Sequence, residues 1–343
     1  MQERTDERRR SRGVIGCLTV GFEMLSQNLL LVALPVVLDL VLWLGPRVSV
    51  GPVLQRFVEL LTNQPPADPE MVGQVEQAVE LLEQFGQQFN LLSVLGGVPM
   101  FHVPSLVARR APVAGSPLGD PRVFSLSSVL GVLPWWGLLA LVGLVLGFLY
   151  LNEIAHQIRE AEGTVAEVGS AIRGSGQPRD EDDSLRAGAL KLLRFLLFAF
   201  GLMVVGSVVL PLWMLTVALG ASIAQPFGIL LWVVGVGMLS YAALHLLFVI
   251  PGLLVGGRRL VRAIGESVLL SHVSLSSVFG FVLLAVVIYE GLGYAWALPA
   301  SDSWAMLIGI MGNAVVATGL TGAAFVFYRD RLVAGRGMMA TRE

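Results

Sequence analysis

The chain has 343 residues, of which 55% are hydrophobic and 14% are charged, and its formal net charge at pH 7 is -2. Soluble domains carry roughly 25% charged residues, so this shortage of charge indicates a membrane protein. The near-neutral balance and the lack of a basic stripe exclude nucleic acid as a partner. The single cysteine, Cys17, excludes an intrachain disulfide and a thiolate-based metal site.

Six apolar runs are long enough to be transmembrane helices, which need roughly 20 mostly apolar residues. The first, residues 28–45, is the shortest and carries Pro35, so we expect a kink or a tilt there. The sequence therefore predicts an all-α, polytopic integral membrane protein with six spans. The remaining five runs are residues 129–151, 192–219, 226–250, 276–296 and 304–328.

Two stretches between the spans are polar enough to lie outside the bilayer. Residues 46–128, which we call the cap segment, contain the amphipathic patterns PVLQRFVELL and PEMVGQVEQAVELLEQFGQQFNLL, both of helical spacing. A Gly- and Pro-rich loop follows them, so we predict a small helical cap. Residues 152–191 first extend the second span as a helix and then form an acidic linker, GSGQPRDEDDS.

Lysine and arginine residues are spread unevenly over the segments that join the spans. With the N-terminus inside, the inside segments hold five in the N-terminal tail, six in residues 152–194, three in residues 258–262 and four in the C-terminal tail. The positive-inside rule then places both termini in the cytoplasm and the cap segment on the extracytoplasmic side. The five outside residues are Arg47, Arg56, Arg109, Arg110 and Arg122.

A pattern recurs before the first, third and fifth spans. In each copy a glycine precedes one or two amphipathic turns, a polar or basic residue and then the long apolar run; the glycines are Gly21, Gly188 and Gly265. We interpret each copy as a short in-plane amphipathic helix at the cytoplasmic interface that bends into a span. The predicted repeat is this helix followed by a hairpin of two spans, used three times. The in-plane helices fall within residues 1–27, 152–191 and 251–275.

This layout, most visibly AIGESVLLSHVSLSSVFGFVLL, resembles a group of six-span prokaryotic membrane proteins. The group comprises the YciC-like family and the membrane domain attached to some glycerophosphoryl diester phosphodiesterases. The resemblance implies an architecture and a place in the prokaryotic plasma (inner) membrane, and it implies no activity. The phosphodiesterase barrel needs about 250 further residues, for which this chain has no room. The cap segment departs from a minimal version of the family.

Polar groups at membrane depth form the candidate intramembrane site, because burying them in hydrocarbon costs several kcal/mol. Glu290 lies six residues before Trp296, and Asp39 lies six residues before Gly45, so both are roughly 9 Å from the outer ends of their spans. Asn313 lies roughly 14 Å from the outer end of the sixth span. Convergence of the three would make a proton or cation site, or a pair of carboxylates that share one proton. Alternatively, Glu290 reaches the headgroups or bonds to a neighbouring helix within an aromatic belt.

Two further features are secondary candidates. We predict that His245, on the fourth span, makes an interhelical hydrogen bond, with a proton relay as the alternative. A basic cluster beside a span attracts anionic headgroups at about 1 kcal/mol per charge, although it also sets orientation. The cluster consists of Arg258, Arg259 and Arg262.

Motifs of soluble enzymes are missing from the sequence: no G-x-S-x-G, Walker A or H-E-x-x-H occurs. Ser240 with His245 and Ser271 with His272 are weak candidates for a nucleophile and its base. No two of the four histidines have the spacing of a zinc site, so we predict no metal and no cofactor.

Small residues and prolines mark several spans. Close helix approach, or contact with a second copy, is predicted where glycines recur at helical spacing. Pro35 and Pro211 are potential breaks of the first and third spans. The glycines are Gly143 and Gly147 on the second span and Gly309, Gly312, Gly319 and Gly322 on the sixth.

These features favour a non-enzymatic integral membrane protein. We expect an accessory or scaffold component that handles envelope lipids or partner proteins, because the cap and the in-plane helices present surface without chemistry. The alternative is a small secondary transporter or permease subunit that uses Asp39, Glu290 and Asn313. The expected partners are the lipid bilayer, anionic headgroups, and a membrane-protein partner or a second copy.

Overall fold

The computed structural model describes residues 13–63, 69–98, 100–110, 115–119, 121–170 and 181–340. It is 82% helical, so the fold is all-α apart from one parallel pair of three-residue strands. Two 3-10 turns, Leu29–Val32 and Leu91–Gly96, interrupt the chain between helices. The elements in chain order are α1 (Val14–Gln27), α2 (Ala33–Leu44), β1 (Arg47–Ser49), α3 (Gly51–Thr62), α4 (Pro69–Gln88), α5 (Leu106–Arg109), β2 (Val123–Ser125), α6 (Val129–Ser170), α7 (Glu181–Ile223), α8 (Gln225–Leu246), α9 (Val249–Leu254), α10 (Leu260–Val273), α11 (Leu275–Trp296) and α12 (Met306–Ala340).

Five helices are long and apolar enough to cross a membrane, and a sixth span results if α1 and Leu29–Leu44, bent by 96°, count as one. In four of the five, only 11–17% of the apolar window is buried, against 72% in α12. Apolar helices with so little burial are unfavourable in water and suit a lipid environment. The five are Val129–Glu160, Arg186–Ile223, Gln225–Leu254, Leu275–Trp296 and Met306–Val333.

The chain divides into two compact units. The described residues within 28–150 and 287–318 form one, which we call the cap unit because it contains the cap segment. The described residues within 1–27, 151–286 and 319–343 form the other, which we call the hairpin unit because it contains all of α7 and α8.

The cap unit is organised around a buried tryptophan. The Trp43 ring is 1% exposed, its Nε1 donates to the Ser301 carbonyl at 2.6 Å, and it meets Trp304 edge-on at 5.9 Å. β1 pairs in parallel with β2, with Arg47 opposite Val123. The pair joins the two ends of the cap segment, so the helices between them are closed into a loop.

The hairpin unit has an aromatic core. Phe327 of α12 stacks on Phe281 at 4.8 Å and on Phe248 at 5.7 Å. α1 packs closely on α12. A Cβ at Gly21 would lie only 2.5 Å from the Ala323 backbone nitrogen, so the absence of a side chain at Gly21 allows this approach. This close approach explains why small residues recur on this part of α12.

Several sequence expectations are altered by these elements. The predicted bend after Gly188 is wrong, because residues Glu181–Ile223 form one helix that also continues through Pro211. In α2, Pro35 lies in the first turn, where a missing N–H breaks no hydrogen bond. α3 and α4 cover the two amphipathic patterns of the cap segment, but the strands β1 and β2 were not expected there.

Residues 171–180, which hold most of the acidic linker, lie outside the described residues, as do residues 1–12 of the N-terminal tail and residues 341–343.

Candidate functional site

Asp39 is fully buried and binds the start of α5. The Ser105 hydroxyl donates to Asp39 Oδ1, the Leu106 N–H donates to Oδ2 at 3.0 Å, and the Val107 N–H donates to Oδ1 at 3.1 Å. The Ser105 oxygen in turn accepts from the Ala108 N–H at 2.9 Å and so caps the helix. The carboxylate therefore satisfies backbone donors that would otherwise be buried without partners.

Glu290 forms an ion pair with the last residue of the same short helix. Arg109 Nη2 lies 2.7 Å from Glu290 Oε2, with the two side chains 33% and 53% exposed. The guanidinium also lies 4.2 Å above the ring centre of Tyr289, in cation–π geometry. Its neighbour Arg110 contacts the Met306 sulfur at 3.1 Å, and burial lowers the pKa of the Arg110 guanidinium.

Asn313 is buried, and its side chain has no hydrogen-bond partner among the described residues. Its side chain is 1% exposed, and among the described residues neither its amide oxygen nor its amide nitrogen has a partner. The indole nitrogen of Trp296 is in the same condition. The Trp296 ring lies against Gly312, where an added Cβ would be 2.7 Å from it. Asn313 is thus the one residue of the predicted trio whose polar atoms are unused within the described residues.

The three predicted site residues all belong to the cap unit, but they do not form one hydrogen-bonded cluster. Asp39 and Glu290 meet the same segment, Ser105–Arg109, at its two ends, and within the described residues no hydrogen bond joins either of them to the other or to Asn313. The two carboxylates therefore hold a short helix of the cap segment against α2 and α11.

His102 is a further buried titratable group of the cap segment. It is 4% exposed, and its Nδ1 accepts a hydrogen bond from the Val98 N–H at 3.3 Å. Burial lowers the pKa of the imidazole to about 4, so the ring is neutral near pH 7. Gly143 of α6 faces this residue, since a Cβ at Gly143 would lie 3.2 Å from His102 Cε1 and 2.8 Å from the Leu95 carbonyl oxygen.

The prediction that the His245 side chain makes an interhelical hydrogen bond is wrong. The ring Nδ1 donates to the Tyr241 carbonyl of the same helix at 2.9 Å, and the two rings lie 4.2 Å apart. The carbonyl four residues earlier lies within reach of a ring in the last helical turn, so the side chain bonds locally. It is the His245 backbone carbonyl that accepts from another helix, from Ser267 at 2.6 Å.

The basic cluster separates into one engaged and two exposed arginines. Arg258 pairs with Glu266 at 3.3 Å, and its carbonyl accepts from Arg194 at 3.3 Å. Arg259 and Arg262 are exposed. In the described part of the chain, none of the ion pairs involves these two residues.

Neither predicted serine–histidine pair is hydrogen-bonded in the part of the chain that the structure describes. There, no group of three or more His, Cys, Asp or Glu side chains could hold a metal ion. The Ser271 hydroxyl donates to the Leu244 carbonyl at 3.0 Å rather than to His272. No hydrogen bond links Ser240 to His245 in the described residues.

Sequence reasoning missed the partners of both carboxylates. Arg109 and Ser105 lie in a Gly- and Pro-rich stretch that was interpreted as loop. Two signals were available there: Ser105 precedes the short apolar run LVA as a helix N-cap does, and Arg109 is one of five arginines in the cap segment, which has no lysine.

Comparison with known proteins gives no relative for this chain. It matches no family model, no curated protein and no solved structure.

Proposed function

We propose that this chain is a non-enzymatic membrane scaffold that presents its cap segment and its interfacial helices to envelope lipids or to a partner protein. In this proposal it has six spans and cytoplasmic termini, and it resides in a prokaryotic plasma membrane. The layout that resembles YciC-like membrane proteins supports the architecture and says nothing about chemistry.

One observation carries the proposal. Both acidic side chains at membrane depth are used to hold α5: Asp39 caps its first turn and Glu290 pairs with Arg109 at its end. A transport site needs groups that can exchange their partners with an ion or substrate, whereas here the groups are bound to protein. Carboxylates used in this way support a rigid platform for the cap segment.

The proposal is tested in proteoliposomes that contain the wild type, Asp39→Asn or Glu290→Gln. The scaffold predicts no proton or Na⁺ flux above that of empty vesicles for any of the three proteins. It also predicts that both variants melt at lower temperature than the wild type, because each loses a contact with α5. A wild-type flux that disappears in Glu290→Gln without a change in melting temperature would overturn it.

A secondary transporter is the second candidate, and Asn313 favours it. A buried amide with both polar atoms unused is unfavourable unless it binds something polar. If no ion or substrate binds the Asn313 amide, Asn313→Leu should raise the melting temperature, since a leucine of similar size needs no hydrogen bond. A lower melting temperature together with loss of ion flux would support the transporter.

A further inference from the structure

Helix α10, Leu260–Val273, buries two serines beside Ala263 and Leu270 and leaves several large apolar side chains exposed. Two serines, Ser267 and Ser271, are fully buried, while Val261, Leu269 and Val273 are 83%, 57% and 66% exposed. A surface helix of a soluble domain places apolar residues inward and polar residues outward. The outward face of α10 is therefore suited to an apolar environment.

The buried serines fix the rotation of α10. Ser267 donates to the His245 carbonyl at 2.6 Å and accepts from the Phe248 N–H at 3.1 Å. Ser271 donates to the Leu244 carbonyl at 3.0 Å. Two of these bonds satisfy the Leu244 and His245 carbonyls in the last turn of α8, where carbonyls lack a partner within the helix. A rotation that buried the valines would break all three bonds, so the apolar face stays outward.

The length of α10 excludes a membrane-spanning orientation. Fourteen residues extend roughly 21 Å, which is less than the roughly 30 Å of a bilayer's hydrocarbon core. A short helix with one apolar face beside spanning helices is satisfied when it lies in the plane of the interface.

Positive charge at the N-terminal end of α10 favours a negatively charged group next to its apolar face. Arg258 is held by Glu266, whereas Arg259 and Arg262 are exposed. Arg262 lies seven residues from Leu269 and Arg259 is the N-cap residue, so the two cations border the apolar face. An apolar surface bordered by cations is complementary to an anionic phospholipid, whose acyl chains and phosphate lie side by side.

We propose that the outward face of α10 binds anionic phospholipid, with Val261, Leu269 and Val273 against acyl chains and with Arg259 and Arg262 at the phosphate. This inference deepens the proposed scaffold function and rests on it for its membrane placement; it names the lipid as the partner of this surface.

The affinity test uses the full chain in detergent, titrated with short-chain phosphatidylglycerol or phosphatidylcholine and followed by native mass spectrometry. The double variant Arg259→Gln/Arg262→Gln should bind phosphatidylglycerol about 30-fold more weakly, the fold-change that corresponds to about 1 kcal/mol per arginine. Phosphatidylcholine binding should be unchanged. Arg56→Gln/Arg122→Gln is the matched control, because it removes two exposed arginines of the cap segment and should leave both affinities unchanged.

A placement test uses the variant Leu269→Cys with a nitroxide label in vesicles of phosphatidylcholine and phosphatidylglycerol. Cys17 is fully buried, so the label attaches at position 269. We expect collisions with O₂, which partitions into lipid, to exceed collisions with a water-soluble nickel chelate. Dominant nickel collisions would overturn the proposal, and protection from both reagents would overturn it in favour of contact with a second copy.

Two other outcomes also count against the lipid. Equal losses in the double variant and in its control would show that charge alone is responsible, and competition by soluble glycerol phosphate would show a site for the free phosphate. All of these outcomes are separate from the flux assay, because a chain that conducts ions could still bind lipid on α10 and a scaffold could fail to do so.

Discussion

Arg109 and Glu290 form an ion pair with 2.7 Å between Nη2 and Oε2, although 181 residues separate them in the chain. The guanidinium is also placed over the ring of Tyr289, the residue before Glu290. A glutamate within a strongly apolar run thus has a defined protein partner in the cap segment. The pair supports a structural role for Glu290 rather than a role in binding an ion.

A double-mutant cycle measures this contact. We expect Arg109→Gln and Glu290→Gln each to lower the free energy of unfolding, and the coupling between them to be about 0.2–1 kcal/mol, the usual range for a partly exposed pair. The measurement is chemical or thermal unfolding of the four proteins in one detergent. A coupling energy of zero would show that the ion pair does not stabilise the folded protein.

Acid should destabilise the protein through His102. Its folded-state pKa is lowered to about 4, below the unfolded value of roughly 6.5. The unfolded chain therefore binds the proton first, so stability is fully present above about pH 6.5 and falls as the pH drops towards 4. The melting temperature of the wild type should decrease across this window, and that of His102→Gln should decrease less. Identical pH profiles would contradict a lowered pKa for His102 in the folded protein.

Gly147 allows the loop that follows the 3-10 turn Leu91–Gly96 to contact α6. A Cβ at Gly147 would overlap the Phe101 carbonyl oxygen, whereas one at Gly137 on the same helix meets nothing within 4 Å. We expect Gly147→Ala to lower the free energy of unfolding by about 1–3 kcal/mol, the usual cost of overpacking. Gly137→Ala should be neutral or slightly stabilising. A neutral Gly147→Ala would mean that the loop moves away without cost.

The features that local sequence predicts best are those with a local cause. Hydropathy identified the apolar helices, because apolar length is a property of consecutive residues, and amphipathic spacing identified α3 and α4. The bend predicted after Gly188 failed because nothing in ALKLLRFLL stops a helix, and α7 continues. A repeated glycine was too weak a signal for a helix end.

The contacts of the candidate site could not be predicted in the same way. Ser105 is 66 residues from Asp39, and the strands that close the cap segment have three residues each. Such pairings depend on which helices become neighbours, which periodicity does not report. Depth along the spans placed Asp39, Glu290 and Asn313 within roughly 14 Å of the outer ends of their spans, but rotation and packing decide which groups meet. The packing gave two of them partners in α5.

The most direct test of the account is hydrogen exchange at the amides of Leu106, Val107 and Ala108 in Asp39→Asn. The central claim is that the buried carboxylate holds the start of α5 on α2, and charge-assisted hydrogen bonds contribute about 1.5–3 kcal/mol each. Asp302→Asn, at an exposed position of the cap unit, is the control. The account predicts exchange at these three amides at least about tenfold faster in Asp39→Asn and unchanged in the control. Unchanged protection in Asp39→Asn would contradict it.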